Sequence, residues 1–104
     1  MRNLLQETLE MVEACGFTVE DVDFVGLPDG SLRCDWADFA AMADKEYDPG
    51  YGSAEVFGDL VVLFKDGSYL ERWEYDGSEG WRHITPVQKP EKYKPLTAVF
   101  YEDD

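Results

Sequence analysis

The residues that could do chemistry in this chain are few, apart from its carboxylates. The sequence has one histidine, His83, and two cysteines, Cys15 and Cys34, which lie 19 residues apart and form no Cys-x-x-Cys motif. Nucleophilic Ser-His-Asp and Cys-His arrangements would both have to recruit the same His83, and a single histidine excludes a multi-histidine metal site. We therefore expect reduced, buried thiols, with a disulfide or a metal-binding pair as the alternative, together with a structural or surface histidine, no catalytic residue and no cofactor.

One spacing of acidic residues approaches a calcium-binding loop. Five residues fall at positions 1, 3, 5, 7 and 12 of the EF-hand template: Asp44, Glu46, Asp48, Gly50 and Glu55. Position 6, where glycine makes the sharp turn, is Pro49, and no second helix follows. We predict no metal site here and keep weak divalent binding as an alternative.

The carboxylates are more informative as a charge distribution. The formal net charge is −14; residues 1–59 carry 14 acidic and 3 basic side chains, and residues 60–104 carry 9 and 6. Such a field disfavours nucleic acid and anionic membranes as partners and favours a basic protein surface. The predicted recognition residues are Glu7, Glu10, Glu13, Glu20, Asp21, Asp23, Asp38 and Asp44. The alternative is that the charge only maintains solubility.

The expected partner is therefore a basic protein surface, such as that of a host nucleic-acid-binding protein. Many proteins bind nucleic acid in a basic groove, and an acidic protein of this size could occupy such a groove as a nucleic-acid mimic. We expect no direct binding to nucleic acid or membrane, and either a monomer or a homodimer. No apolar run approaches the length of a membrane span and no secretory signal is recognisable, so we expect a cytoplasmic protein.

The element that organises the sequence is the stretch of residues 59–85. Asp66-Gly67 and Asp76-Gly77 separate three apolar runs, each of strand length. Because an Asp-Gly pair supplies the two positive φ angles of a type I′ turn, it is the strongest short-range hairpin signal. The stretch predicts a three-stranded antiparallel meander, in which a two-residue loop at Asp66-Gly67 places Leu63 opposite Leu70.

This register divides the side chains of the meander between two faces. The expected aromatic face, a candidate dimer interface through Tyr69, Trp73 and Tyr75, also carries Leu60, Val62, Phe64, Arg82 and Ile84. The opposite face carries Val61, Leu63, Leu70, Arg72, Trp81 and His83. We expect Arg82 to pair with Glu71, and Arg72 to stack on Trp81.

Two stretches have helical periodicity. Residues 3–15 and residues 36–47 are each predicted to form a helix. The predicted capping residues are Asn3 for the first helix and Asp35 for the second. Three glutamates recur at three-residue spacing on the outward face of the first helix, without a balancing lysine: Glu7, Glu10 and Glu13. They predict an acidic ridge.

A further hairpin and the composition complete the expected architecture. Pro28-Asp29-Gly30 predicts a turn between residues 24–27 and 31–34, and residues 96–101 predict a last strand. A hydrophobic content of 44% argues against disorder despite the charge. We predict a single α+β domain over residues 1–104, with two helices packed on an antiparallel sheet whose centre is the meander at about 59–85.

Residues 69–96, with the sequence YLERWEYDGSEGWRHITPVQKPEKYKPL, carry one resemblance. They resemble small uncharacterised proteins of phages, prophages and integrative elements in Gram-positive gut bacteria, in which a WLERxEYDGSEWW core precedes a segment rich in proline and lysine. Tyr69 here replaces the first Trp, Trp73 stands where that group often has His, and Gly80 replaces one of the paired Trp residues. The resemblance implies a mobile-element origin. It also implies interference with host machinery, as in anti-restriction or anti-CRISPR inhibitors.

These observations favour a non-enzymatic, acidic protein-binding module of phage or mobile-element type. One alternative is a structural or accessory domain that homodimerises through the aromatic sheet face. The other is a small enzyme or a weak divalent-metal-binding protein.

Overall fold

A computed structural model describes residues 1–48, 55–85, 92 and 94–98. Its elements in chain order are β1 (Arg2–Asn3), α1 (Leu4–Ala14), a 3₁₀ turn (Val19–Asp21), β2 (Val22–Gly26), β3 (Arg33–Cys34), α2 (Trp36–Ala43), β4 (Glu46–Tyr47), β5 (Val61–Phe64), β6 (Tyr69–Tyr75) and β7 (Ser78–Ile84). The predicted α+β class is confirmed. Of the predicted strand at residues 96–101, residues 96–98 have no regular structure and the remainder lies outside the described residues.

The five-stranded sheet has the order β3-β2-β5-β6-β7 and is antiparallel throughout. The predicted three-stranded meander is confirmed: it consists of strands β5, β6 and β7 of this sheet. The short strands β1 and β4 pair separately, with Arg2 opposite Tyr47. Strand β5 is central, because β2 and β6 flank it, and this position explains why all four of its residues are apolar.

The turn between β6 and β7 forms as predicted. Asp76 and Gly77 have φ angles of 53° and 84°, and Tyr75 lies opposite Ser78, as in a type I′ turn. The register places Arg82 opposite Glu71, and Arg82 Nε donates a hydrogen bond to Glu71 Oε1 at 2.7 Å. The expected Arg82 to Glu71 pair is therefore confirmed.

The predicted register between β5 and β6 is wrong by one residue. Leu63 lies opposite Tyr69 instead of Leu70. The loop has three residues and ends at Gly67, which has a φ angle of 92°. It is closed by Phe64, whose N–H donates to Ser68 O at 2.9 Å.

This one-residue slip moves β5 to the other face of the sheet relative to the prediction. Val62 and Phe64 share a face with Leu70 and Trp81, whereas they were expected beside Tyr69. The residues of this face and the helices above it form the core: Val12, Val22, Val25, Phe39, Ala43, Val62, Phe64, Leu70 and Trp81. Because β5 is apolar on both faces, its sequence does not indicate which face is buried.

The helix starts form as predicted, and one helix end does not. Asn3 Oδ1 accepts a hydrogen bond from Gln6 N, and Asp35 Oδ1 accepts one from Asp38 N, both at 2.9 Å. Helix α2 ends at Ala43, however, and not at Tyr47 as predicted. Long-range pairing of β4 with β1 removes these residues from the helix, because strand pairing replaces the intrahelical hydrogen bonds.

The predicted second hairpin is also present, between β2 and β3. Leu27 N donates to Leu32 O at 2.9 Å, and Gly30 takes a φ angle of 72°. Gly26 is required beside this turn, because a Cβ there would lie 2.1 Å from Leu32 O.

Candidate functional site

A buried ion-pair network joins α1, β1, β4, β6 and β7. The side chain of Arg72 is 2% exposed, and its Nη2 donates to Glu79 Oε2 at 2.9 Å and to Tyr47 Oη at 3.2 Å. Tyr47 Oη donates to Glu7 Oε1, which also lies 3.5 Å from Arg72 Nη1. Arg2 Nη1 donates to Glu7 Oε2 at 2.8 Å. Two cations and two carboxylates therefore neutralise each other, with Arg72 and Glu79 buried and Arg2 at the surface.

Aromatic rings enclose the guanidinium of this network. It lies 4.8 Å from the ring centroid of Trp81 and 5.7 Å from that of Tyr47. The expected stacking of Arg72 on Trp81 is thus confirmed. Trp81 Nε1 in turn donates to Thr8 Oγ1 at 2.9 Å, which ties β7 to α1.

The network raises the pKa of Arg72 and of Tyr47. Burial by itself lowers the pKa of Arg72, but hydrogen bonds to Tyr47 and Glu79 outweigh burial and raise it. Burial and the hydrogen bond to Glu7 raise the pKa of Tyr47. The geometry therefore suits holding the helix on the sheet, and it presents neither a free general base nor a thiolate.

The predicted acidic ridge is wrong at Glu7. Its side chain is only 12% exposed, and it pairs with Arg2 and Arg72 instead of facing solvent. The sequence contained a weak signal for this position, because Glu7 lies three residues after Leu4 and four before Met11, and both belong to the inward stripe. The pairing with Arg72 crosses 65 residues of sequence, so helical periodicity alone could not reveal it.

The other predicted recognition residues lie at the surface. Six are exposed and Asp21 is half-buried: Glu10, Glu13, Glu20, Asp21, Asp23, Asp38 and Asp44. Asp21 Oδ2 accepts from Thr18 N at 2.8 Å, and Asp44 Oδ1 accepts from Asn3 Nδ2 at 3.0 Å, so two of them also support local structure. Across the described residues, none of the seven takes part in an ion pair.

The aromatic residues proposed for a dimer interface project from β6 on the side opposite the core. Tyr69 is half-buried, Trp73 is 36% exposed and Tyr75 is 78% exposed. Trp73 lies opposite Gly80, and a Cβ on Gly80 would approach Trp73 Nε1 to 3.0 Å. The indole therefore lies across the glycine, where any larger residue would displace it.

An apolar groove of about 540 Å³ opens beside α2, the β2–β3 hairpin and residues 55–60. Its floor includes Leu4, Val25, Phe39, Ala43, Val56 and Leu60, and its rim includes Met1, Leu32, Met42 and Phe57. No local sequence pattern reveals this site, because four segments far apart in the chain build it: residues 1–4, the β2–β3 hairpin, residues 39–47 and residues 55–60. The available signal was helix α2, WADFAAMA, which is apolar on more than the one face that the core needs.

The residues with nucleophilic or metal-binding chemistry are structural in their surroundings. Cys15 and Cys34 are free and half-buried, where buried thiols were expected, and burial raises the pKa of both. His83 packs edge-on against Phe17, with 5.7 Å between ring centroids. In the described ranges, no three Cys, His, Asp or Glu side chains are grouped to hold a metal, and Gly50 of the calcium template lies outside those ranges.

The described helices bear on membrane insertion as well. Within residues 1–48 and 55–85, no helix combines the length and the apolar character that crossing a bilayer requires.

Comparison with other proteins adds no family to this description. No protein-family model, curated protein or solved structure matches the chain. Function is therefore inferred from the side chains and surfaces described above.

Proposed function

We propose that the protein is a non-enzymatic binding module that docks on a basic protein surface. It binds through the acidic side chains of its helical side, by which we mean Glu10, Glu13, Glu20, Asp21, Asp23, Asp38 and Asp44. The observation that carries this proposal is the absence of ion pairs, within the described residues, at exposed acids such as Glu10, Glu13, Glu20 and Asp38. Unpaired surface carboxylates attract a cationic partner and speed its encounter with the protein, and they repel anionic partners.

The fate of the nearby cations strengthens this proposal. Residues 1–59 contain three basic residues, Arg2, Arg33 and Lys45. Arg2 is paired with Glu7, whereas Arg33 and Lys45 are exposed and, within the described residues, join no ion pair with the 14 acidic side chains of residues 1–59. The helical side is thus left with little internal neutralisation, and a partner can supply it.

The resemblance of residues 69–96 to mobile-element proteins supports a particular kind of partner. Host defence proteins that bind nucleic acid have basic grooves, which an anionic protein can occupy in place of nucleic acid. On this proposal the protein acts in the cytoplasm of a bacterial host as an inhibitor of the anti-CRISPR or anti-restriction type.

The test is capture from a lysate of the host at low and high salt, using matched double variants. Glu10→Gln with Glu13→Gln removes two charges from α1. Glu74→Gln with Asp76→Asn removes the same two charges at the β6–β7 turn, where Gln retains the acceptor for Gly77 N and Asn tolerates a positive φ. Glu7 is unsuitable for this test, because it belongs to the buried network.

We expect one protein to bind the wild type and the turn variant at low salt, to bind the α1 variant less, and to be released at high salt. Equal capture by both variants, or capture that does not depend on salt, would rule out the helical side as the docking surface.

Homodimerisation through the aromatic sheet face is the second candidate function, favoured by the exposure of Trp73 and Tyr75. It predicts a mass that rises with protein concentration in sedimentation equilibrium. The rise should be lost in Trp73→Ala and retained in the Glu10→Gln, Glu13→Gln variant. If the wild-type mass equals that of a single chain at all concentrations, homodimerisation is excluded.

A further inference from the structure

Exposed apolar side chains concentrate around the groove beside α2. Seven large hydrophobic side chains are exposed among the described residues, and four of them lie on the groove rim: Met1, Leu32, Met42 and Phe57. Met42 is 67% exposed and Phe57 is 69% exposed. Single exposed apolar residues are ordinary, but several around one concave apolar site indicate a binding surface.

The chemistry of the rim favours an occupant with large aliphatic or aromatic side chains. Met1 and Met42 are unbranched and polarizable, so they can adapt to partners of different shape. The floor is formed by core residues such as Phe39 and Val25, which are held in place by the sheet and α2. A fixed floor with an adaptable rim suits the apolar face of a helix.

The charged residues around the groove indicate which side chains should flank the apolar face of the occupant. Two carboxylates, Glu46 and Glu55, and two cations, Arg33 and Lys45, line the groove. Asp44 and Asp38, both exposed, belong to or follow the helix that forms one wall. With Asp38 and Asp44 counted, four carboxylates face two cations around this site, so basic residues flanking an apolar face would find partners here.

We propose that the groove binds a cationic amphipathic helix of the partner protein, with its apolar face seated among Met1, Met42 and Phe57 and its Lys and Arg residues against the flanking carboxylates. This inference rests on the proposed function and adds the anchor by which the basic partner is held. A second copy of the chain would bring another formal charge of −14 and is a poorer occupant.

The test uses a synthetic helical peptide of leucine and lysine, with leucine at positions i, i+3, i+4 and i+7, and the full chain labelled with ¹³C at its methionine methyls. The three methionines are Met1, Met11 and Met42, and Met11 packs against the core away from the groove. We expect the peptide to shift the methyl signals of Met1 and Met42 and to leave that of Met11 unchanged.

Two peptides and two protein variants control this experiment. A scrambled peptide of the same composition, and a peptide with glutamine in place of lysine, should each bind at least about tenfold more weakly. Met42→Glu should weaken binding of the helical peptide by about tenfold or more, because it places a charge where an apolar contact forms. Leu96→Glu, at an exposed leucine outside the groove, should leave the affinity unchanged.

Other outcomes overturn the inference. Equal binding of the scrambled peptide, or retained binding by Met42→Glu, means that charge alone acts; the groove proposal then fails while the proposed function stands. Met1 and Met42 methyls shielded from a soluble paramagnetic reagent in the free protein mean that the chain or a second copy already fills the groove. If no peptide binds, the helix proposal fails, and capture from lysate still decides the proposed function separately.

Discussion

Arg72 joins charged and aromatic groups from three other elements of the fold. It meets Glu79 and the ring of Trp81 on β7, Glu7 on α1 and Tyr47 on β4. A buried charge is tolerated where partners replace its lost hydration, and these contacts do so for both Nη atoms of Arg72, whereas its buried Nε has no hydrogen-bond partner among the described residues. This makes the network a determinant of how α1 sits on the sheet.

Removing Arg72 should therefore be severe. Arg72→Ala leaves Glu7 and Glu79 without their buried cation, and we expect the free energy of unfolding in urea to fall by about 3–5 kcal/mol. Arg82→Ala is the control, because Arg82 is 61% exposed and its pair with Glu71 should contribute less than about 1 kcal/mol. Similar losses in the two variants would contradict the role assigned to the network.

Tyr47 gives the network a signature at high pH. Burial raises the pKa of Tyr47 above its ordinary value of 10.0, so its contribution to stability is fully present below about pH 10 and is lost as the pH rises through the higher folded-state value. Tyr47→Phe cannot titrate, but it loses its hydrogen bonds and should cost about 1–2 kcal/mol at neutral pH.

We expect the stability difference between wild type and Tyr47→Phe to narrow above about pH 10, as measured by urea unfolding across the alkaline range. Tyr75→Phe serves as the control for loss of a tyrosine hydroxyl at neutral pH, because Tyr75 is 78% exposed and should contribute little to stability. A difference that stays constant or widens with pH would argue against this role for Tyr47.

At the scale of the elements, three identical tripeptides show what the sequence could predict. Asp-Gly-Ser occurs at residues 29–31, 66–68 and 76–78. At the first two, the Asp carboxylate accepts hydrogen bonds from the following Ser N and Oγ, and only Gly takes a positive φ. At the third, Asp76 itself has a φ of 53°. The local sequence therefore predicts each turn but not its type, which burial of the flanking strands selects.

The β5–β6 turn gives a direct test of its observed geometry. Gly67 has a φ of 92°, so Gly67→Ala should lower the free energy of unfolding by about 1–2 kcal/mol. Gly58→Ala is the matched control, because a Cβ at that position would open onto free space and its φ is not in the left-handed region; it should be neutral or slightly stabilising. A neutral Gly67→Ala in thermal or urea unfolding would refute the observed loop.

In the candidate site, too, the sequence predicts what depends on a single element and fails for what depends on contacts between elements. Helical spacing predicts correctly that Glu10 and Glu13 face solvent, since that property depends on one element. The burial of Glu7 and the groove beside α2 depend on segments far apart in sequence, and no local pattern contains them. Contacts between elements account for both failures.

At the scale of the whole molecule, the charge is the dominant property. A formal net charge of −14 on 104 residues repels itself in the folded state, and screening by salt should relieve that repulsion. We expect Tm to rise between low ionic strength and about 0.5 M sodium chloride. The rise should be smaller in the Glu10→Gln, Glu13→Gln variant, and a wild-type Tm that falls with salt would contradict a surface of unpaired carboxylates.

The molecule presents two different surfaces on opposite sides of one sheet. The helical side carries exposed carboxylates around an apolar groove, and the other side carries Trp73 and Tyr75. On the proposed function a partner recognised by charge would use the first surface, whereas the second candidate function, self-association, would use the other. Variants at Glu10 with Glu13 and at Trp73 therefore separate the two functions.

The most direct test of docking through the helical side is the salt dependence of affinity for the purified protein captured from lysate. We predict that the Kd of the wild type and of the Glu74→Gln, Asp76→Asn variant rises steeply with salt. The Glu10→Gln, Glu13→Gln variant should bind more weakly at low salt and with a shallower slope of log Kd against log salt. Three parallel slopes with equal affinities would show that the helical carboxylates take no part in recognition.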